Sequence, residues 1–266
     1  MGVLSSLKPT ARQRLGRLVS YAIGVAFIVV IALAADWPTI QRQFANPEVA
    51  AKVWPNIVTI ALRNTLLFTL ISYVGGSLLG VLLAVLKVAG GPLGWFAVAF
   101  IEFFRGIPAL LTIFAAAFIV PIAFGVQVPG GSIGAGLVGL IIVTGAYTAE
   151  IIRAGIQAVA PGQSEAARSL GMTGGQTMGW IVLPQAMRIV IPPMTNEFVM
   201  LLKDTALLFI AGATAQTREL TTFARDSLST YASATPMILA ALLYLIVTLP
   251  LTWLVGLLEK KLDPKR

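Results

Sequence analysis

A chain of 266 residues that is 57% hydrophobic and only 11% charged cannot bury its apolar side chains in a water-soluble fold. The mean hydropathy of +0.87 therefore predicts that the bilayer is its solvent. The absence of cysteine and histidine excludes disulfides, thiolate chemistry and the commonest general base and metal ligand. The net charge of +8 is spread between apolar segments, which favours anchoring in a membrane over binding to nucleic acid.

Six apolar segments are long enough to cross a bilayer, since a spanning helix needs about 20 mainly apolar residues. In chain order they cover residues 19–35, 57–86, 95–124, 133–152, 186–210 and 236–258. The third is broken by Arg105, Gly106 and Pro108, and the fifth is interrupted by prolines at 192–193. The pattern predicts an all-α, multi-spanning membrane protein with six transmembrane helices.

The distribution of lysine and arginine predicts how these helices are oriented. Basic residues cluster at both ends of the chain, within residues 1–18 and 259–266. Six spans return the chain to the side on which it starts, and basic loops stay in the cytoplasm, so we expect both termini to be cytoplasmic. The segment 153–188 falls on the same side and contains three arginines, whereas the opposite loops balance their charges.

The first apolar segment has a rival interpretation as a signal peptide, because a basic head and an apolar stretch precede Ala32, Leu33 and Ala34, which resemble a cleavage site. Its apolar stretch is longer than the roughly 7–15 residues typical of such peptides, so a retained helix is expected. Residues 36–56 contain Trp37 and Trp54 and predict an external connector lying on the membrane surface. Residues 57–258 then form the main transmembrane domain.

The segment 161–184 is too polar to span a membrane and is rich in helix formers, so it predicts two short cytoplasmic helices. Ser164 is a candidate N-cap for the first helix, with an acidic residue directly after it. Gly171 suits the left-handed position that follows a helix. Thr173 and Gln176 have the spacing of a capping box for the second helix.

This segment also contains a spaced motif, formed by Glu165, Ala166, Ala167, Gly171, Leu183 and Pro184. The motif resembles the EAA loop of ABC importer permeases. Six further pieces resemble the polar amino acid branch of that family, at residues 63–66, 104–108, 146–151, 162–163, 183–186 and 203–207. Because the family core has five helices in many members, the resemblance leaves one additional N-terminal helix.

The resemblance implies a transport subunit without a catalytic site, metal or cofactor of its own. Its EAA loop would dock in a groove of a cytoplasmic ATPase dimer, which would bind ATP and magnesium. A second permease subunit, identical or homologous, and an extracytoplasmic amino-acid-binding protein would complete the assembly in a bacterial cytoplasmic membrane. The expected cargo is a polar amino acid moving inward. Glutamate or glutamine is favoured, because the spans offer no unpaired carboxylate for a cationic side chain.

The fifth segment contains polar residues close to its outer end: Asn196, Glu197, Lys203, Asp204 and Thr205. Charged groups at membrane depth are costly and usually face a cavity or a partner. They can line a substrate path, because a zwitterion needs both an anionic and a cationic partner. They can equally form a structural ion pair that orients the helix, or be plain interfacial charges, and the Thr205 hydroxyl can bond its own helix backbone.

Two other patterns concern helix packing. Glu150 and Arg153 are three residues apart and are expected to form a local pair on one helix face. Gly75, Gly76 and Gly80 give the second span a small-residue face, which predicts close packing, within the chain or at a subunit interface.

Two other function classes remain open. A secondary amino acid transporter driven by an ion gradient would be expected to show inverted repeats, and the hydropathy pattern contains none that we detect. A scaffold that anchors a cytoplasmic partner through the same loop would leave the charges of the fifth span unexplained. The sequence lacks the phosphate-binding loop of ATPases and contains no histidine for a catalytic triad, so it favours no enzyme.

Overall fold

The computed structural model describes the backbone of residues 11–262 and side chains from residue 17 onward. The basic residues at 1–10 and 263–266, expected in the cytoplasm, lie outside the described residues. Every element in the described range is helical and none is a strand, which confirms the all-α prediction.

Thirteen α-helices follow one another along the described chain. They are α1 (Ala11–Ala34), α2 (Trp37–Phe44), α3 (Pro47–Asn56), α4 (Arg63–Ala89), α5 (Gly91–Gly106), α6 (Ala109–Phe114), α7 (Val120–Phe124), α8 (Gly131–Gln157), α9 (Pro161–Ser169), α10 (Gly174–Gln176), α11 (Leu183–Asp204), α12 (Leu220–Tyr231) and α13 (Thr235–Leu262). Three π-helical segments, Ile57–Leu62, Ala115–Ile119 and Thr177–Val182, lead into α4, α7 and α11, and a 3-10 helix, Thr205–Ala211, follows α11.

Four stretches of the described chain are long and apolar enough to cross a membrane: Arg17–Ala34, Trp37–Ala89, Gly131–Gln157 and Thr235–Leu262. The pair formed by α5 and the Ala109–Phe124 helix qualifies only when both are counted together, and it bends by 108°. A multi-spanning protein is confirmed, and the break near Arg105 and Pro108 lies where the sequence predicts it. The count of six stays a prediction, since α11 does not meet this measure.

Helix α11 is continuous through Pro192 and Pro193, so the predicted interruption there is wrong. Proline removes one backbone donor. It is tolerated inside membrane helices because neighbouring helices and local adjustments give the freed backbone groups other partners. The Tyr73 hydroxyl of α4 donates to the Met194 carbonyl at 3.2 Å, which packs α4 against this part of α11.

Helices α4 and α8 approach each other through glycine. A Cβ atom added at Gly76 would lie 2.5 Å from the Thr144 Cβ, and one at Gly80 would lie 2.5 Å from the Thr148 Cβ. No side chain fits in that space, so only glycine permits this helix separation. The small-residue face therefore packs within the chain.

Residues 63–66, which resemble the polar amino acid branch, hold the loop that precedes α12 through hydrogen bonds. The Asn64 Nδ2 group donates to the carbonyls of Gln216 at 2.7 Å and Arg218 at 3.0 Å. The Thr65 hydroxyl is buried, accepts from the Leu220 amide at 3.1 Å and donates to its own helix. These bonds satisfy backbone groups that no helix supplies with partners.

The connector formed by α2 and α3 is fastened to the start of α13. The Asn46 amide donates to the Thr235 hydroxyl at 2.9 Å, and the Ser233 hydroxyl donates to the Gln43 carbonyl at 3.0 Å. By contrast, none of the 17–34 stretch of α1 is buried inside the molecule. Helix α1 is thus attached to the rest of the protein mainly through this fixed connector.

Candidate functional site

Helix α9 contains the core of the EAA-like motif, and it begins at Pro161. Ala160 is its N-cap residue and provides no side-chain hydrogen bond, so the predicted N-cap at Ser164 is wrong. Proline suits the first helical position because its φ is already helical and its missing N–H would be unpaired there anyway. The helix therefore starts one turn earlier than the sequence predicts, and Ser164 lies within it.

The end of α9 is a Schellman motif. Gly171 has φ +89°, its amide donates to the Arg168 carbonyl at 3.0 Å, and the Met172 amide donates to the Ala167 carbonyl at 3.2 Å. A positive φ is readily adopted only by glycine, so this residue type is required at the turn. The prediction for Gly171 is confirmed.

A capping box starts the second short helix, as predicted. The Thr173 hydroxyl accepts from the Gln176 amide at 3.3 Å, and the Gln176 side chain accepts from the Thr173 amide at 2.9 Å. These bonds give α10 a fixed start directly after the Gly171 turn. Residues 161–176 consequently form two short helices joined by an ordered turn, and not an irregular loop.

The outer surface of α9 is available to another protein. Ala167 is buried against the molecule, whereas Glu165, Ala166 and Leu170 are exposed. Leu170 is 85% exposed, an unusual position for a leucine at the tip of a polar segment. Sequence reasoning missed Leu170, although an exposed apolar residue next to the turn glycine is a usable signal.

Residues Leu183 and Pro184 lie at the start of α11 and are exposed. They adjoin a buried cluster of Val159, Val182 and Ala186, which packs the end of α8 against α11. The Gln185 side chain donates to the Gln163 side chain at 3.3 Å and so connects α11 to α9.

A cleft of about 1130 Å³ opens on this side of the molecule. Its walls come from the α8–α9 link, from α11 and from the end of α13, and they include Gln185, Arg188, Glu259 and Lys260. The cleft has apolar and charged walls, with three basic residues and one carboxylate, and borders the segment that precedes α9.

The predicted substrate-path residues lie in the last turns of α11 and at its end. Glu197 and Asp204 are partly buried, and Asn196 and Lys203 are exposed. Among the described residues, none of these four side chains forms an ion pair or hydrogen bond within the distance limits of such contacts. The structure therefore offers no support for a structural ion pair among the described residues.

Thr205 behaves differently from its neighbours. Its hydroxyl is buried and donates to the Leu202 carbonyl at 2.7 Å, in the last turn of α11. This is the backbone bond that the sequence left open as an alternative to a substrate contact.

Four charged residues form a cluster that we call the Glu150 cluster: Lys87, Arg105, Glu150 and Arg153. The predicted pair of Glu150 and Arg153 is present, with the Arg153 Nε 2.8 Å from the carboxylate and a second guanidinium contact beside it. Lys87 at the end of α4 and Arg105 at the end of α5 join the same carboxylate at 3.7 and 3.8 Å. The sequence did not predict that these two cations meet Glu150.

Comparison with known proteins places this geometry among transport subunits. Residues 76–264 match the family described as binding-protein-dependent transport system inner membrane component. The probable glutamine ABC transporter permease protein GlnM of Bacillus subtilis strain 168 is 43% identical over 204 residues, covering 75% of this chain and 90% of that protein. The arginine transport system permease protein ArtQ of the same organism is 34% identical over 202 residues, covering 76% of this chain and 90% of that protein.

Two solved structures of ABC transporters are also similar to this chain. A crystal structure of an amino acid ABC transporter with histidines has 37% identity and a TM-score of 0.72, covering 79% of this chain and 96% of that chain. An inward-facing structure of the MetNI methionine ABC transporter has a TM-score of 0.58 and covers 83% of this chain and all of its own, but its 19% identity supports the fold alone.

Proposed function

Because this chain belongs to the family of binding-protein-dependent transport system inner membrane components, we propose that it is the permease subunit of an ATP-driven importer of polar amino acids. The observation that supports this most directly is the exposed α9, whose C-terminal Gly171 turn fixes a helix with an open outer face. A helix held this rigidly outside the main bundle suits docking against a separate protein, because little conformational entropy is lost on binding.

The partner at α9 is proposed to be a cytoplasmic ATPase dimer. Closure of that dimer on ATP would displace α9, and the displacement would pass to α8 through the short link 158–160 and to α11 through Gln185 and Gln163. ATP and magnesium would be bound by the ATPase. In this arrangement both ends of the chain and α9 face the cytoplasm, and the protein lies in a bacterial cytoplasmic membrane.

A second permease subunit and an external binding protein complete the proposed assembly. The unpaired charges of Lys203 and Asp204 support this, since charges at membrane depth are stable only beside a polar partner or a water-filled path. A path between two permease subunits would supply that surrounding. The names of the relatives favour glutamine or arginine as cargo classes, and glutamine agrees with the expectation from the sequence.

The test of the coupling role is a charge reversal at Glu165. We expect Glu165→Lys to lose the ATPase on co-purification and to lower ATP-dependent amino acid uptake at least tenfold, because a reversed charge at an interface costs several kcal/mol and about 1.4 kcal/mol is already tenfold. Both are measured with the permease, its neighbouring ATPase and the binding protein in proteoliposomes.

Glu48→Lys is the matched control for ATPase binding, because Glu48 is equally exposed but lies on the connector, in α3. It should retain the ATPase. Uptake that continues without any ATPase would contradict the proposal and favour a secondary transporter driven by an ion gradient. A retained ATPase without amino acid flux in the unaltered protein would favour a scaffold.

We further propose that Asn196, Glu197, Lys203 and Asp204 line the substrate path, with Thr205 supporting the end of α11. Asp204→Asn should raise the KM for uptake about tenfold or more while leaving the ATPase bound, because a hydrogen bond to a charged group contributes about 1.5–3 kcal/mol.

Asp226→Asn provides the comparison, since Asp226 pairs with Arg218 at 3.5 Å in the segment around α12. That variant should keep the KM of the unaltered protein. An unchanged KM in Asp204→Asn for glutamine, glutamate, arginine and histidine would remove Asp204 from the path.

A further inference from the structure

Two of the sequence pieces that resemble the amino acid branch contact each other in space. Arg105, from the piece at 104–108, lies 3.8 Å from the Glu150 carboxylate, and its guanidinium lies 5.8 Å from the centre of the Tyr147 ring. Glu150 and Tyr147 both belong to the piece at 146–151. Neither contact involves α9 or the charged residues of α11.

The contacts of Glu150 are of two kinds. Arg153, on the same helix, contacts the carboxylate through two nitrogens and is fixed with it as a unit. Lys87 and Arg105 reach the carboxylate from other helices, at 3.7 and 3.8 Å, where no hydrogen bond forms. The contacts of Lys87 and Arg105 are therefore the ones that link Glu150 of α8 to α4 and α5.

Helix α8 continues from Glu150 towards α9. The Arg153 guanidinium also donates to the Gln157 side chain, and Gln157 is the last residue of α8. Only residues 158–160 separate it from Pro161, the first residue of α9. A displacement of α9 is thus imposed on the end of α8 that contains Glu150.

On the other side of the contact, Arg105 lies at a hinge. Helix α5 ends at Gly106, Ile107 has extended backbone with φ −96° and ψ 138°, and the chain turns by 108° into α6. Beyond the turn, α6 is close to α8, since a Cβ atom added at Gly139 would lie 2.8 Å from the Ile113 Cα. A short extended segment between two rigid helices is the usual form of a hinge.

From these contacts we propose that Glu150 is a positioning residue of the transport cycle. It holds the Arg105 end of α5 against α8, so that movement of α9 carries the hinge and the Ala109–Phe124 helix along with α8. The proposal rests on the function proposed above and names the route by which that movement reaches a second membrane helix.

The experiment compares Glu150→Gln, Arg105→Gln and the double variant in the complete transporter, reconstituted with its ATPase and binding protein. Uptake of glutamine, glutamate, arginine and histidine is measured together with ATP hydrolysis, with and without amino acid. Assembly is checked by co-purification of the ATPase. Glu102→Gln is the matched control, because Glu102 is also near Arg105, at 3.9 Å, but is 64% exposed and does not contact the other members of the cluster.

We expect each single variant to retain the ATPase and a basal hydrolysis rate within about twofold of the unaltered protein. Uptake and the stimulation of hydrolysis by amino acid should each fall about tenfold. Because both substitutions break the same link, the double variant should be no worse than either single variant. Glu102→Gln should behave like the unaltered protein.

Several outcomes would overturn the inference. One is that Glu150→Gln and Arg105→Gln both show the same uptake and the same stimulation of ATP hydrolysis as Glu102→Gln. Another is that the losses of uptake in the two single variants multiply in the double variant. If Glu150→Gln does not assemble, Arg105→Gln decides alone, because it leaves the pair of Glu150 and Arg153 in place. An unaltered complex that moves none of the four amino acids would instead overturn the proposed function, on which the inference depends.

Discussion

Replacing Gly171 with proline is expected to abolish amino acid uptake while leaving the protein inserted in the membrane. Proline fixes φ near −65°, whereas Gly171 has φ +89°. The substitution also removes the amide that donates to the Arg168 carbonyl at 3.0 Å. The turn after α9 must then rearrange, which moves the helix away from the position in which the ATPase would meet it. Uptake and ligand-stimulated ATP hydrolysis should fall at least tenfold.

Gly174→Pro is a close control for this change, because it lies in the same short segment at the first position of α10. Thr173 before it has φ −67° and ψ 161°, the extended backbone that a following proline requires. This variant should transport at a rate within about twofold of the unaltered protein. Transport by Gly171→Pro at that same rate would show that the geometry of the α9 turn is not needed for coupling.

The second large effect is expected at the contact between α4 and α8. Gly76→Ala and Gly80→Ala each place a methyl group 2.5 Å from a threonine Cβ, and backbone nitrogen atoms lie 3.2 and 3.0 Å from the new carbon. Neither neighbour is the end of a flexible side chain, so the helices must separate. Overpacking of this kind costs about 1–3 kcal/mol, and here it acts on the central helix pair. The yield of monodisperse protein and the midpoint of thermal unfolding in detergent should both fall.

Two other glycines make this a graded series. Gly75→Ala meets only the Ile141 side chain, at 2.9 Å, which can change rotamer, so its effect should be smaller. Gly256→Ala in α13 meets nothing within 4 Å and should be neutral or slightly stabilising, because alanine favours helix over glycine. Equal midpoints for all four variants would contradict the observed helix separation.

Local rules of backbone chemistry were sufficient to predict part of the α9 region. The turn at Gly171 and the capping box at Thr173 depend on a few neighbouring residues, and both are present as the sequence indicates. The start of α9 lies one turn before the N-cap that Ser164 predicts, because Pro161 begins the helix without a polar cap.

Contacts between distant parts of the chain were beyond the reach of the same rules. The pair of Glu150 and Arg153 follows from helical spacing, but the approach of Lys87 and Arg105 depends on how three helices assemble. Similarly, the glycine face of α4 predicted close packing without identifying α8 as the partner. The sequence identifies the polar residues near the end of α11, because charged groups are costly at membrane depth. It does not predict whether Lys203 and Asp204 pair, since that depends on how their side chains are placed in the folded chain.

The glycine contact between α4 and α8 also supplies a fixed reference frame for following the transport cycle. Two helices in backbone contact cannot shift relative to each other by fractions of an ångström without a clash, so they behave as one rigid body. Since the chain contains no cysteine, spectroscopic labels can be attached at chosen sites without removing native thiols. Labels on α4 and α8 would define one reference body, against which displacements of α9 and α11 become measurable as relative movements.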